Sequence, residues 1–340
     1  MLTPQAARGT KLREVPEREK FLSFGPARAC PLCGSGEHFI LSRSMQFRLD
    51  CTTVICKGCG FCFVSPAPTE AACRSFYRDA YAHYYGGIHP ILEPESVRET
   101  PEETERFGTI ERCRRVSGSR LLEIGPGNGR FLVLASRRGA RCHAIEPSQE
   151  FRSRLASMGI TPVGEFLETT PAAKSYDIIV LFQVLEHFHD PVASVRAICE
   201  LLNDDGILVL DVPNIWKPYR SLDRHFLRYV HLSYFSPLSL GRLLQSQGLE
   251  LLHMDTADRR SIHYPRPVFA IAGRVKLGGR PRDESPPEDW RRLARFLRGY
   301  RLSYPVFIAP RMMSRAWKAR LRRVLRESDR NRPDRRQRTP

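Results

Sequence analysis

The stretch RLLEIGPGNGRFLVLASRRGARCHAIEPS, residues 120–148, constrains the fold of this 340-residue chain more than any other. RLLEIG is a short apolar run that stops at glycine, as a buried strand does. In GRFLVLASRRG, the residues Phe131, Leu132, Leu134 and Ala135 recur at helical spacing, and Gly139 is placed to end the helix. RCHAIEPS is a second strand ending on an acid. The unit is strand, glycine turn, helix, strand, which is half of a nucleotide-binding α/β fold.

The turn discriminates between ligands. A dinucleotide-binding turn reads G-x-G-x-x-G, and its third glycine would fall on Arg130. The glycines present are Gly125, Gly127 and Gly129, preceded by Glu123. Without a Cβ, such residues let the backbone pass close to a ligand. Glu146, at the end of the second strand, can accept hydrogen bonds from both hydroxyls of a ribose. Further on, SYDIIVLFQVLEHFHDP (175–191) places a strand at Ile178–Phe182, and His189 and Asp190 cap the next helix. PVASVRAICELLNDDG predicts an amphipathic helix ending at Gly206. GILVLDVPN is a strand, HLSYFSPLSLGRLLQSQGLELLHMD a helix and a strand, and VFAIAGRV a closing antiparallel strand.

The glycine turn with its acid, Glu146 and the VLEH…DP segment together resemble the class I S-adenosylmethionine (SAM) methyltransferases, over about Arg120–Val275. The resemblance implies an α/β fold, a seven-stranded Rossmann-like sheet in the order 3-2-1-4-5-7-6. It implies SAM as cofactor, held by Glu123, Gly125, Gly127, Gly129, Glu146 and Gln183. Where amide-methylating members carry an NPPY-type motif, this chain reads FQVLEH, which points to hydroxyl, carbon or sugar acceptors.

CPLCG and CKGCG supply Cys30, Cys33, Cys56 and Cys59 in the pattern C-x2-C-x22-C-x2-C. Each pair precedes a glycine that permits a tight knuckle. Four thiolates make a closed tetrahedral Zn2+ site of the structural kind. Cys51 and Cys62 are near enough in sequence to substitute as ligands, and the other four cysteines are scattered. A zinc knuckle before such a core is similar to the N-terminal region of sugar and natural-product methyltransferases. Phe76, Tyr77, Tyr81, Tyr84 and Tyr85 follow it, and two compatible roles stay open: shielding the sulfonium or packing the module on the core. Thr100 and Glu103 form a capping box with Pro101 at the first helical position.

These features divide the chain into a flexible N-terminus (1–26), a zinc-binding module (27–66), an aromatic linker or lid (67–100), the SAM-dependent core (101–275) and a basic C-terminal tail (276–340). Within the core, His187 and His231 are candidate catalytic bases, with Tyr234 beside the latter. Glu186 and His187 could equally cap a helix or shape the cofactor pocket, and His231 could order its loop.

Charge is uneven. From Arg274 onward 21 Lys and Arg face 7 Asp and Glu, +14 of a total of +17. The tail holds a basic amphipathic helix with Met313, Trp317, Leu321 and Val324 on one face. Such a helix can pack on the core, lie on an anionic membrane surface or hold nucleic acid. The near-neutral body favours a small-molecule or glycan acceptor, because an RNA enzyme shows basic surface around its pocket. The alternatives are an RNA methyltransferase gripping nucleic acid with zinc module and tail, and a SAM-binding scaffold without activity. No run of 18 apolar residues and no signal-type segment is present, so the expected location is cytoplasmic, with the tail peripheral to the inner membrane face.

Overall fold

The computed structural model describes residues 23–44, 51–81, 93–171, 175–256, 267–275 and 286–305. Tyr84, Tyr85 and the amphipathic segment around Trp317 lie outside them.

The main sheet is built from β4 (Arg120–Ile124), β5 (Arg141–Ile145), β6 (Thr161–Gly164), β7 (Tyr176–Phe182), β8 (Leu202–Pro213), β10 (Leu249–Asp255) and β11 (Pro267–Arg274). Its order is β6-β5-β4-β7-β8-β11-β10. Numbered within this sheet alone, that is 3-2-1-4-5-7-6, as expected. β11 runs antiparallel to both of its neighbours, while the other pairings are parallel. The apolar strands have a direct cause. Along β7, Ile178 and Val180 enter one buried layer while Ile179 and Leu181 enter the other. A strand covered on both faces has no position for a polar residue, so its sequence does not alternate.

The helices start where their caps predict. α2 (Pro101–Cys113) opens with the Thr100–Glu103 capping box. Glu103 also accepts from Arg130 Nε at 2.6 Å, tying α2 to the first turn of α3 (Arg130–Arg137). Phe131, Leu132, Leu134 and Ala135 of α3 are all buried. Asp190 caps α5 (Pro191–Leu201) by accepting from Val192 N and Ala193 N. α4 (Gln149–Ser157) and α6 (Pro237–Ser246) are capped by Ser148 and Ser236. One expectation fails: α5 ends at Leu201, five residues before Gly206. Leu202 turns extended to pair with Tyr176, and Asn203 donates to Asp177 across the same edge at 3.1 Å.

A second, antiparallel sheet joins β1 (His38–Ser42), β2 (Thr53–Cys56) and β3 (Cys62–Val64) to β9 (Ser233–Tyr234). The cysteine-bearing module is therefore completed by a strand from the core, with Cys62 opposite Tyr234 and Phe63 opposite Ser233. Phe61 and Phe63 reach into the same buried cluster as Ile179 and Leu181. α1 (Glu70–Ser75) follows β3 and continues into a π-helical turn, Phe76–Ala80.

The beginning of the basic segment is part of this fold. α7 (Trp290–Ser303) buries Leu293, Ala294 and Leu297. Its Trp290 packs on Phe39, and Arg301 donates to the Leu41 carbonyl at 3.0 Å. The residues before it press on the second knuckle: a Cβ on Gly60 would meet the Glu288 carbonyl oxygen at 2.4 Å. Ending the chain after Gly279 is therefore expected to lower the denaturation midpoint, because two buried leucines and their pockets are lost at about 2–5 kcal/mol each. Chemical denaturation of this truncation and of the full chain checks this.

Candidate active site and cysteine centre

The knuckles bring the four predicted cysteines together. Cys30, Cys33, Cys56 and Cys59 have all four sulfurs within 4.8 Å of one another. Cys30 Sγ is 3.6 Å from Cys59 Sγ, and Cys33 Sγ is 3.5 Å from Cys56 Sγ. Zinc–sulfur bonds of about 2.3 Å in a tetrahedron put sulfurs roughly 3.8 Å apart, so the cage is close to the size of the ion. Gly34 and Gly60, at φ 74° and 73°, close each knuckle by donating to the carbonyls of Cys30 and Cys56. Burial pushes the Cys56 thiol up to about 11, so a cation is what would hold it as thiolate at neutral pH. Cys51 and Cys62 are buried elsewhere, against Leu41, Ile55 and Val64.

The glycine turn sits at the carboxyl end of β4. Gly125, Gly127 and Gly129 have φ of 68°, 55° and 75°, the left-handed region that favours glycine. Packing adds a second reason at two of them. A Cβ on Gly125 would meet Val184 Cγ2 at 2.8 Å, and one on Gly129 would meet Leu155 Cδ2 at 2.5 Å. Glu146 lies across the turn. Its two oxygens accept from Gly127 N at 3.2 Å and Ser148 N at 2.9 Å. Burial nonetheless raises its pKa to about 7, against the pull of those two donors. Glu123 is buried behind the turn with Oε2 unpartnered, and burial, with Glu146 and Asp211 nearby, raises it to about 8.

Gln183 follows β7 with φ 58°, a left-handed conformation uncommon outside glycine. Asp211 on β8 holds it there: Gln183 Nε2 donates to Asp211 Oδ1 at 2.8 Å, and Gln183 N to the Asp211 carbonyl at 2.9 Å. Arg106 of α2 donates to Asp211 Oδ2 at 3.0 Å and lies over the Phe182 ring. Sequence reasoning missed this network. Its signal was the acid inside the otherwise apolar run GILVLDVP.

His187 and His231 meet. Their ring centroids are 4.8 Å apart, edge to face. His187 Nδ1 bonds the Val230 carbonyl at 2.8 Å, so the proton sits on Nδ1 and the Nε2 lone pair is left over. Burial lowers the pKa of His187 to about 4 and that of His231 well below its usual value. Both are uncharged at neutral pH. Glu186 lies between them, 1% exposed, and among the described residues neither of its carboxylate oxygens has a hydrogen-bond partner beyond its own backbone N–H. Tyr77 packs edge-on against His187 at 5.8 Å, while Phe76 is buried against Tyr229. Of the aromatic group, Phe76 packs and Tyr77 reaches the histidines. Tyr234 is buried behind His231 with its hydroxyl directed at the Arg228 carbonyl.

Residues 97–254 match the family model of a methyltransferase domain. The C-methyltransferase NovU of Streptomyces niveus is 25% identical over 157 residues, 44% of this chain and 37% of that protein. A ubiquinone biosynthesis O-methyltransferase of Nitrosospira multiformis is 23% identical over 174 residues, 43% of this chain and 69% of that protein. One from Salmonella paratyphi A is 33% identical over 110 residues, 30% and 46%. The match thus spans from about a third to two thirds of these relatives' lengths. Among solved structures, the magnesium protoporphyrin IX methyltransferase of Synechocystis PCC 6803 with bound SAH aligns over 61% of this chain and 100% of its own, at TM-score 0.46 and 12% identity.

Proposed function

We propose that this chain, a class I methyltransferase by its domain at residues 97–254, moves the methyl group of SAM to a small molecule or a sugar of a glycan or secondary-metabolite pathway. The observation that carries the reading is the pairing of the glycine turn with Glu146, whose Oε2 accepts from Gly127 N in the turn while its Oε1 accepts from Ser148 N beside it. The sheet order supports it, since the turn lies at the carboxyl ends of parallel strands, where such folds bind ligands. Gly125, Gly127 and Gly129 would admit the cofactor, Glu146 would take the ribose hydroxyls, and Glu123 and Gln183 would line the remainder. Zinc at the four cysteines would be structural, since four protein thiolates leave no open position.

His187 and His231 are the proposed acceptor-side residues. An acceptor O–H or C–H would give its proton to an uncharged imidazole, and the freed electron pair would take the methyl group that SAM supplies as its S–C bond breaks, leaving neutral S-adenosylhomocysteine. The protein's main contribution is alignment, worth on the order of 7–11 kcal/mol in well-oriented reactions.

Calorimetry with SAM tests the cofactor site. Glu146→Gln removes a charged acceptor of two hydroxyls and is expected to cost about 1.5–3 kcal/mol, roughly ten- to hundredfold in Kd. The pH dependence has a definite sign. In the free protein Glu146 titrates near 7. Two hydroxyl donors favour its ionised form and pull that pKa down, so binding releases a proton. Affinity should hold above pH 7 and weaken as pH falls below it. Glu146→Gln should lose the slope along with the affinity. Equal affinities and equal slopes in the two proteins would place the ribose elsewhere.

A further inference from the structure

We propose that Glu186, His187 and His231 form a second metal centre, a site of two imidazoles and one carboxylate for a divalent cation. It is separate from the cysteine cage and has a coordination position left for the acceptor. The three residues converge from two places in the chain. Glu186 and His187 sit on the turn Leu185–His187 just past β7, and His231 on the segment leading into β9. The Leu232 N–H donates to the Glu186 carbonyl at 2.8 Å and locks the two pieces together.

The distances separate a shared ion from a hydrogen-bonded cluster. His187 Nε2 is 3.8 Å and His231 Nε2 3.9 Å from Glu186 Oε1. Both exceed hydrogen-bond reach. With bonds of about 2.0–2.2 Å to one tetrahedral ion, such donors stand roughly 3.3–3.6 Å apart, so a closure of a few tenths of an ångström would fill the site. The cysteine cage shows the same relation in this chain, with sulfurs near contact distance around a space for one ion.

Glu186 supplies an independent observation. A buried carboxylate is ordinarily hydrogen-bonded or paired, yet among the described residues neither of its oxygens has a hydrogen-bond partner beyond its own backbone N–H. Arg228, whose charge acts on Glu186 from nearby, donates to the Tyr219 hydroxyl at 2.6 Å. A divalent cation between the carboxylate and the two lone pairs resolves the deficit. His187 is prepared for it: its Nδ1–H donates to the Val230 carbonyl and fixes the tautomer that leaves Nε2 free, the outer contact that metal-binding imidazoles commonly make.

Three protein ligands of nitrogen and oxygen suit Zn2+, Fe2+ or Mn2+ and match catalytic rather than structural composition. The chemical role, though not the existence, of this centre rests on the proposed methyl transfer. An acceptor hydroxyl bound at the open position would lose its proton more easily, giving it to solvent water because both imidazoles are taken up as ligands, in place of the direct transfer to His187. Its oxygen pair would form the C–O bond as the S–C bond of SAM breaks, leaving neutral S-adenosylhomocysteine. The acceptor class is thereby narrowed to oxygen nucleophiles.

Co2+ distinguishes the two sites in the full chain, because thiolate ligands give intense sulfur-to-cobalt charge transfer and imidazole–carboxylate ligands do not. Protein with zinc in its cysteine cage is expected to take up one further Co2+ per chain, with visible d–d bands and no charge-transfer band. Glu186→Gln, nearly isosteric, and His231→Ala should each bind that Co2+ at least tenfold more weakly. SAM binding by calorimetry reports whether each variant is folded. No uptake by the unaltered protein, or equal uptake by a SAM-binding variant, overturns the proposal. Either result leaves the SAM site and direct proton transfer to His187 standing.

Discussion

Replacing Cys30, Cys33, Cys56 and Cys59 together by serine is expected to remove one zinc per chain and to unfold the small sheet. Structural zinc contributes about 10–16 kcal/mol of apparent binding free energy in small zinc-dependent modules, and there it is also folding free energy. β3 has three residues and β9 two, and a ladder that short is marginal without a clamp. The damage should not stop at the module. Cys30, Cys56 and Cys59 belong to the same buried cluster as Phe61, Phe63, Leu181 and Phe235. β9 also carries on directly from His231, so the variant should lose order on the acceptor side as well. Elemental analysis gives the zinc count, and chemical denaturation followed by tryptophan emission gives the stability, since Trp290 packs on Phe39 of β1. An unchanged zinc count with an unchanged midpoint would remove the cage from the account of this fold.

The parts of the molecule that were legible in the sequence are those set by short-range rules. The Thr100–Glu103 box, the Asp190 cap and the glycine-rich turn each depend on a few neighbouring residues, and each is in place. The two cysteine pairs were equally readable, because a knuckle needs only C-x2-C and a following glycine. What was illegible depends on pairings across long stretches of chain. Nothing local in Ser233–Tyr234 says that they complete a sheet with Cys62 and Phe63, some 170 residues earlier. Leu202 looked like the next turn of a helix until Tyr176 claimed it as a sheet partner. Gln183 shows the same limit at the site. Its left-handed backbone is held by Asp211, 28 residues away, and Asp211 in turn by Arg106. The amphipathic helix expected in the basic segment, around Met313 to Val324, lies outside the described residues; α7, which packs Leu293 and Leu297 four residues apart, was not singled out, because its surplus of arginines masks the short apolar face.

The acceptor-side histidines carry the second large expected effect. His187→Ala should lower kcat by about 10²–10⁴-fold, the usual contribution of a positioned proton-transfer group, while leaving the Kd for SAM within about twofold. The split follows from placement. Glu146 and the glycine turn stand at the ends of β4 and β5, whereas His187 lies past β7 and faces His231, Glu186 and Tyr77. A group that meets only the acceptor changes the chemical step and not the cofactor's affinity. A structural role predicts otherwise. If His187 served only to hold the loop through its bond to the Val230 carbonyl, then His187→Asn, which keeps a donor there, should restore most of the rate. If Nε2 is what acts on the acceptor, asparagine rescues nothing, because it offers no basic lone pair at that position. Single-turnover transfer from radiolabelled SAM to a candidate acceptor, measured on the unaltered protein and both variants, separates these outcomes. Rescue by asparagine would assign His187 to architecture and leave His231 as the remaining base.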